Sequence, residues 1–369
     1  MSQELISKIR KEFPYLNSDR VFFDHAAVSP MSTRVKNCIE EFIDEVHSEK
    51  LHNYAEAHAR REVVRSQVSK LIDAPSDRIA FIKSTTDGMV LLARGFNWSK
   101  GDRVLLYKNE FPSNIYPWWE LKQYGVEIDL AEADQGVITP EILEKQIKPG
   151  TRIISVSWVQ YLNGTRSDLK ILADWCHERN IYLSVDGMQG LGALKLSVKE
   201  TGIDFLATGT AKWLMGPHGI GFIYISEDLQ EKIHPPHLGW LSRKTPMDFH
   251  NYDQPLNSSA RRFEFATENY LGIYGLNGAL DMLLEATPEF IENRIKELSD
   301  HLYDNLISLG MSIDSNRSGN KWSGIITATT GDPQKNSILW KSLREMKLIA
   351  LSVEKCSEYH LIFIILKKI

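Results

Sequence analysis

The chain has 369 residues, 43% of them hydrophobic and 25% charged. That is ordinary globular composition, long enough for a large core and two domains. A formal net charge of −5 without any block of like charges leaves an electrostatic nucleic-acid role unsupported. Three well-separated cysteines, Cys38, Cys176 and Cys356, form no CxxC pair, which argues against a disulfide framework or a metal site and suits a reducing cytoplasm.

The opening "MSQELISKIRKEFPYL" has amphipathic helical spacing with charges throughout and lacks the apolar stretch of a signal peptide. No apolar run approaches the roughly 18 residues of a membrane span, so a cytoplasmic protein without membrane contact is expected. From about residue 20 to 230, helical and strand patterns alternate. "RVKNCIEEFIDEV" and "ARREVVRSQVSKLI" read as amphipathic helices. "RIAFIK", "RVLLYK", "VEIDLAE", "RIISVSWV" and "IYLSVDG" are short β-rich runs near turn chemistry. "PEILEKQI" and "DLKILADWCHERN" are helices between them. Repetition of this kind predicts an α/β fold, a mostly parallel sheet with helices on both faces and ligands at the strands' carboxyl ends. After Asn269 a long helical region leads to a smaller α+β segment, "WSGIITATT" and "NSILWKSLREMKLIALSV". The expected division is a large domain at 20–272, with 1–19 and 273–369 forming a smaller one.

Four strand ends in the large unit carry candidate chemistry. "IKSTTDGMVLLARGF" places Ser84, Thr85 and Thr86 before a helix, which is either an anion site or a plain cap. "IYLSVDGMQGLGAL" ends an apolar strand on Asp186, whose carboxylate needs a cation, a metal, a set of donors or a capping role. Gln189, three residues on, could turn toward the same pocket. In "ATGTAKWLMGPHGIGF" Lys212 sits among small residues, where desolvation would make it a nucleophile toward carbonyls; a salt-bridged or snorkelling lysine is the plainer alternative. Phe111 of "YKNEFPSNIYPWWE" could cover a flat ligand or simply pack in the core. Taken in this order, an anion site, an aromatic cover, an acid and a lysine meet the needs of pyridoxal 5'-phosphate.

The same stretches resemble the class V aminotransferase-like enzymes of fold type I, the group containing cysteine desulfurases, selenocysteine lyases, isopenicillin N epimerase and kynureninase. The resemblance runs from "VFFDHAAVSP" through "STTDG", "EFPSNIYPW", "SVDGMQGLGA", "AKWLMGPHGIG" and "RRFEFATEN" to about Asn269. It implies Lys212 as the Schiff-base lysine, Asp186 against the pyridine nitrogen and Gln189 on the ring hydroxyl. It also implies phosphate holding by Thr85, Thr86 and Thr210, and by Thr267 across a homodimer with shared sites. The expected substrate is an amino acid attacked at Cα or Cβ.

The departures shape the functional expectation. Phe111 stands where desulfurases carry a histidine, His25 where many relatives have asparagine, and Tyr161 where desulfurases have another asparagine. His25 and Tyr161 are accordingly expected on the substrate side. "EFPSNIYPW" and "SWVQYLNGTRSDL" resemble the epimerase-like branch more than the desulfurases; desulfurase or selenocysteine lyase activity is the alternative. Cys356 has the wrong spacing and neighbours for a persulfide cysteine. After "ALSV" relatives carry an arginine that grips the substrate carboxylate. Here Glu354 follows and the pattern is lost, as a frame-shifted or truncated ending after Val353 would produce. A cofactor-binding protein with impaired catalysis is therefore a further alternative.

Overall fold

The computed structural model describes residues 3–49, 54–355 and 358–364. Seven strands form the larger sheet: β2 (Ile79–Ile82), β3 (Arg103–Tyr107), β4 (Glu127–Ala131), β5 (Thr151–Ser157), β6 (Tyr182–Asp186), β7 (Phe205–Gly209) and β8 (Gly221–Ile225). Their order is β2-β8-β7-β6-β5-β3-β4. All neighbours run parallel except β8, which is antiparallel to both β2 and β7. The α/β reading of the repeated strand–helix pattern thus holds. Its five named strand segments correspond to β2–β6, whereas β7 and β8 complete the sheet from "DFLATG" and "GFIYI".

The strands read as near-continuous apolar runs because both sheet faces are covered. Every residue of β2 and β8 is buried, and in β5 and β6 only Arg152 and Tyr182 escape full burial. Helices start where side chains satisfy their first N–H groups. Ser84 accepts from Asp87 N ahead of the helix Thr85–Gly95, and Asp168 accepts from Ile171 N ahead of Leu169–His177. Strands β5, β6 and β7 are laid down in one direction across the sheet and β3 to β4 in the other. A crevice therefore opens at the carboxyl ends of β3 and β5, where the order reverses.

A five-stranded sheet has the order β1-β11-β12-β10-β9, with β1 (Val21–Phe23), β9 (Ser312–Ile313), β10 (Ile325–Thr329), β11 (Leu348–Lys355) and β12 (Glu358–Ile364). Val21–Phe23, expected within the large unit, pairs in parallel with Leu348–Ala350 of this smaller sheet. Glu354 falls in β11, opposite Tyr359 of β12; Cys356 lies outside the described residues. The long helical region resolves into Tyr270–Ala286 and Pro288–Ser308. Pro288 lacks an N–H and bars its predecessor from helical backbone, so Thr287 turns to φ +65° and caps the second helix through Phe290 N.

One buried ion-pair network fastens the first strand of the sheet. Arg65 donates to Glu264 Oε1 and Oε2 at 2.7 and 3.0 Å and to Ile79 O at 2.7 Å. Glu264 in turn accepts Phe81 N at 2.8 Å. Replacing Arg65 by methionine leaves Glu264 buried with Arg61 Nη1 at 3.9 Å as its remaining counter-charge, at an expected cost near the lower end of about 3–5 kcal/mol. Urea unfolding of R65M against wild type measures it; a loss under about 1 kcal/mol would be that of an exposed pair.

Candidate active site

Five loops leave the carboxyl edge of the large sheet and enclose a cavity of about 220 Å3. Lys212 is three residues past β7, in the excursion that leads to β8. That excursion is cross-braced: Thr210 Oγ1 donates to Pro217 O at 2.7 Å, Gly216 N to Thr210 O at 2.9 Å and Met215 N to Lys212 O at 2.9 Å. Met215 has φ +54°, a conformation that L-residues seldom adopt and that clusters at functional sites.

Asp186 ends β6, its Oδ1 accepting Met188 N at 2.8 Å. The turn after it is tight because Gly190 lies against Trp158, where a Cβ would come within 2.2 Å of the indole. Burial pushes the Asp186 carboxyl up to about 7, with Glu110 adding to the rise and Lys212 opposing it. Burial also holds the Lys212 ammonium below the usual lysine range, against the pull of Asp186 and Asp24. Phe111 stays 42% exposed at the rim. Its ring centroid is 5.7 Å from Lys212 Nζ and 5.2 Å from the Tyr161 ring, which meets it edge-on. An aromatic face, an amine and a buried acid thus line one cavity.

The structure brings Thr85, Thr86, Phe111, Tyr161, Asp186, Gln189, Thr210 and Lys212 to this cavity. Their polar atoms are not equally available. Thr85 Oγ1 accepts Gly209 N at 2.9 Å, leaving its own hydrogen free to donate. Thr86 donates to Ser113 at 2.8 Å. Gln189 accepts the Trp213 indole N–H at 3.0 Å and donates to Ala26 O at 3.1 Å, which leaves one amide hydrogen. The Thr210 hydroxyl is spent on its own loop.

Two residues lie elsewhere. His25 is buried behind Trp213, its ring 5.6 Å from the indole and 5.1 Å from Phe22, and burial lowers it to about 4. Thr267 lines a neighbouring cavity of about 390 Å3 that shares Lys83, Gly219 and Ile220 with the first. Sequence reasoning passed over Asp24, next to His25. Its Oδ1 is buried without a hydrogen-bond partner among the described residues. Burial raises its carboxyl to about 6, with Lys212 the opposing charge. Its position just past β1 was the available signal. Ser113, Ser157 and His218 also line the cavity.

The aminotransferase class-V family matches residues 21–360. The chain belongs to that family. A probable cysteine desulfurase of Borreliella burgdorferi is 32% identical to this class-V enzyme over 326 residues, 80% of this chain and 76% of the relative. The apo cysteine desulfurase from Thermococcus onnurineus NA1 superposes with a TM-score of 0.86 at 23% identity, covering 99% of this chain and 94% of the other. A C-DES mutant structure with glycine covalently linked to its PLP cofactor gives 0.86 at 21% identity, over 96% and 94%. This class-V enzyme is pyridoxal-phosphate-dependent, and its fold is that of type I. The site fits the group: Asp186 is a buried carboxyl with a single N–H donor shown, and Thr85 and Thr86 open a helix whose first N–H groups lack intrahelical acceptors.

The raised Asp186 carboxyl has a consequence in cofactor-free protein. Its folded value, about 7, exceeds the ordinary 3.8, so from about pH 4 to 7 the unfolded chain binds fewer protons and rising pH favours unfolding. Over that interval wild type is expected to lose more stability than Asp186→Asn, which has no such proton to release. Urea midpoints measured across it test this; parallel pH slopes for the two proteins would contradict the assignment.

Proposed function

We propose that this enzyme acts at Cα or Cβ of an amino acid through a covalent link between Lys212 and pyridoxal phosphate, in the manner of the epimerase-like branch. The observation that carries the reading is the convergence of Lys212, Asp186 and Phe111 on one cavity. When bound, the cofactor supplies an electron-withdrawing ring that takes up charge from a substrate carbon. Asp186, as an anion, would keep the cofactor's ring nitrogen protonated and offset its charge. Phe111 covers the ring and limits water. The Thr85 hydroxyl and the N–H groups of Thr85 and Thr86 behind Ser84 would receive the phosphate; the Thr86 and Thr210 hydroxyls are already donated, to Ser113 and Pro217, and Thr210 would contribute by bracing the Lys212 loop. Gln189 has one amide hydrogen for the ring hydroxyl. Lys212 Nζ would hold and move a proton at the substrate Cα, a role suited by an amine whose burial lowers its proton affinity. Tyr161 stands at the substrate side of Phe111, while His25 supports Trp213 from behind.

Desulfurase-type chemistry is the second reading, favoured by the Borreliella relative's name. Against it, Cys38 and Cys176, the cysteines among the described residues, do not line the cavity, and burial raises both thiols.

A homodimer belongs to the same proposal. Met247, Phe249 and Tyr252 on the excursion before Gln254 are 61, 57 and 83% exposed, an apolar patch that a second copy would cover. Thr267, outside its own cavity, is then available to a partner's phosphate.

Borohydride treatment of cofactor-loaded protein is expected to fix the cofactor mass on the peptide carrying Lys212 and to leave Lys212→Ala unlabelled. Amino acids screened by change in visible absorption identify the substrate, and sulfide release from cysteine separates the second reading from the first. A label that survives Lys212→Ala would refute the assignment. Phe249→Asp is expected to shift sedimentation toward monomer; an unchanged oligomer, or a monomeric wild type, speaks against the dimer.

A further inference from the structure

The Phe111 side chain has no polar group to anchor it; the side chain before it has several partners. Glu110 is buried, and three donors take its two oxygens. Oε1 accepts Ser157 N at 2.7 Å and Gln160 Nε2 at 3.0 Å, and Oε2 accepts the Ser157 hydroxyl. Ser157 is the last residue of β5 and stands in register with Asp186 on β6. Trp158 N donates to Asp186 O at 2.9 Å, so the strand of the Ser157 donor is stitched to that of Asp186 at the same point. A second clasp lies four residues on: Asn114 Oδ1 accepts Ser155 Oγ at 2.6 Å and the Trp118 indole N–H at 3.2 Å. The turn that carries the aromatic cover is therefore tied at both ends to β5, and Phe111 projects from the end nearer Asp186.

We propose that Glu110 is a positioning residue of this site, its carboxylate fixing the height of the Phe111 ring above the floor formed by Asp186 and Lys212. The proposal rests on the cofactor reading above and adds the part that sets how firmly the cofactor is clasped. A buried carboxylate accepts all three donors, whereas an amide here keeps its oxygen for the Ser157 N–H and Gln160 but presents a nitrogen to the Ser157 hydroxyl, which must then reverse its own hydrogen bond. The charge also has near neighbours. Glu110 faces Asp186 and Tyr161, and each is shifted upward by burial first and by this carboxyl second. Burial likewise raises Glu110 itself, against its hydrogen bonds from Ser157 and Gln160.

The test is cofactor binding by the full-length protein, read as pyridoxal phosphate affinity and as the visible circular dichroism of the saturated complex. Glu110→Gln is expected to weaken binding about twofold to tenfold, the range of one aromatic stacking contact, and to reduce the dichroism per bound cofactor by more than half. Phe111→Leu should produce a loss of the same order. The double variant should bind no worse than the weaker single, because both changes act through one ring. Wild-type binding and dichroism in Glu110→Gln, or losses that multiply in the double variant, would overturn the proposal. Should Glu110→Gln not fold, Ser157→Ala removes one of the three donors and is expected to shift both readouts in the same direction by a smaller factor; unchanged readouts there overturn it equally. A wild type that binds no cofactor ends the underlying reading as well. A normal wild type with an indifferent Glu110→Gln ends this one alone.

Discussion

A lysine and an aspartate are held out of water at the carboxyl edge of a sheet, and each is shifted toward its neutral form by that burial. Neither position would persist as a matter of stability, since desolvating the charged forms is costly. The surrounding structure is arranged to impose it. The parallel order of β5, β6 and β7 delivers Asp186 and the Lys212 loop side by side. The antiparallel β8 returns the chain so that the loop is anchored at both ends. Hydrogen bonds from Thr210 and Gly216 then brace the backbone of the loop that carries Lys212. Lys212 and Asp186 are each other's opposing charge, yet burial outweighs that attraction for both.

The second sheet reaches this edge from the side. After β1 the chain turns at Asp24, where Ala27 N and Val28 N donate to the Asp24 carbonyl at 3.0 and 3.1 Å, and Ser29 N donates to Ala211 O at 3.0 Å. Ala26 O receives the Gln189 amide. These bonds run from the strand paired with β11 to the residues flanking Lys212 and Asp186, so the two sheets are joined through the site. The same turn sends Asp24 and His25 to different surroundings: one carboxyl within electrostatic reach of the lysine, one neutral imidazole packed on Trp213.

Much of this was legible because it is local. A strand, its terminal acid and its following turn occupy consecutive positions, so Asp186, Thr85 and Phe111 announce themselves by context, and the repeated strand–helix pattern carries the fold. What escaped is set by pairing across the chain. Nothing near Val21 says that it will lie beside Leu348, and the antiparallel course of β8 is decided by its neighbours rather than by its residues. Glu110 reads as an ordinary charged residue in a polar turn; its partners are 47 and 50 positions away. His25 attracted attention through its type, yet a ring between Phe22 and Trp213 is a packing element. The helix break at Thr287 was written in the sequence as a proline and could have been placed.

The left-handed backbone at Met215 restricts what this loop can become. Asparagine, aspartate or glycine could take that conformation at little cost, whereas valine, isoleucine or threonine would crowd their own backbone. Drift at this position is thus channelled toward small or polar residues, even though its neighbours Trp213 and Leu214 are buried and apolar. A side chain three residues past Lys212 is constrained by its own torsion angles as well as by its packing on the core.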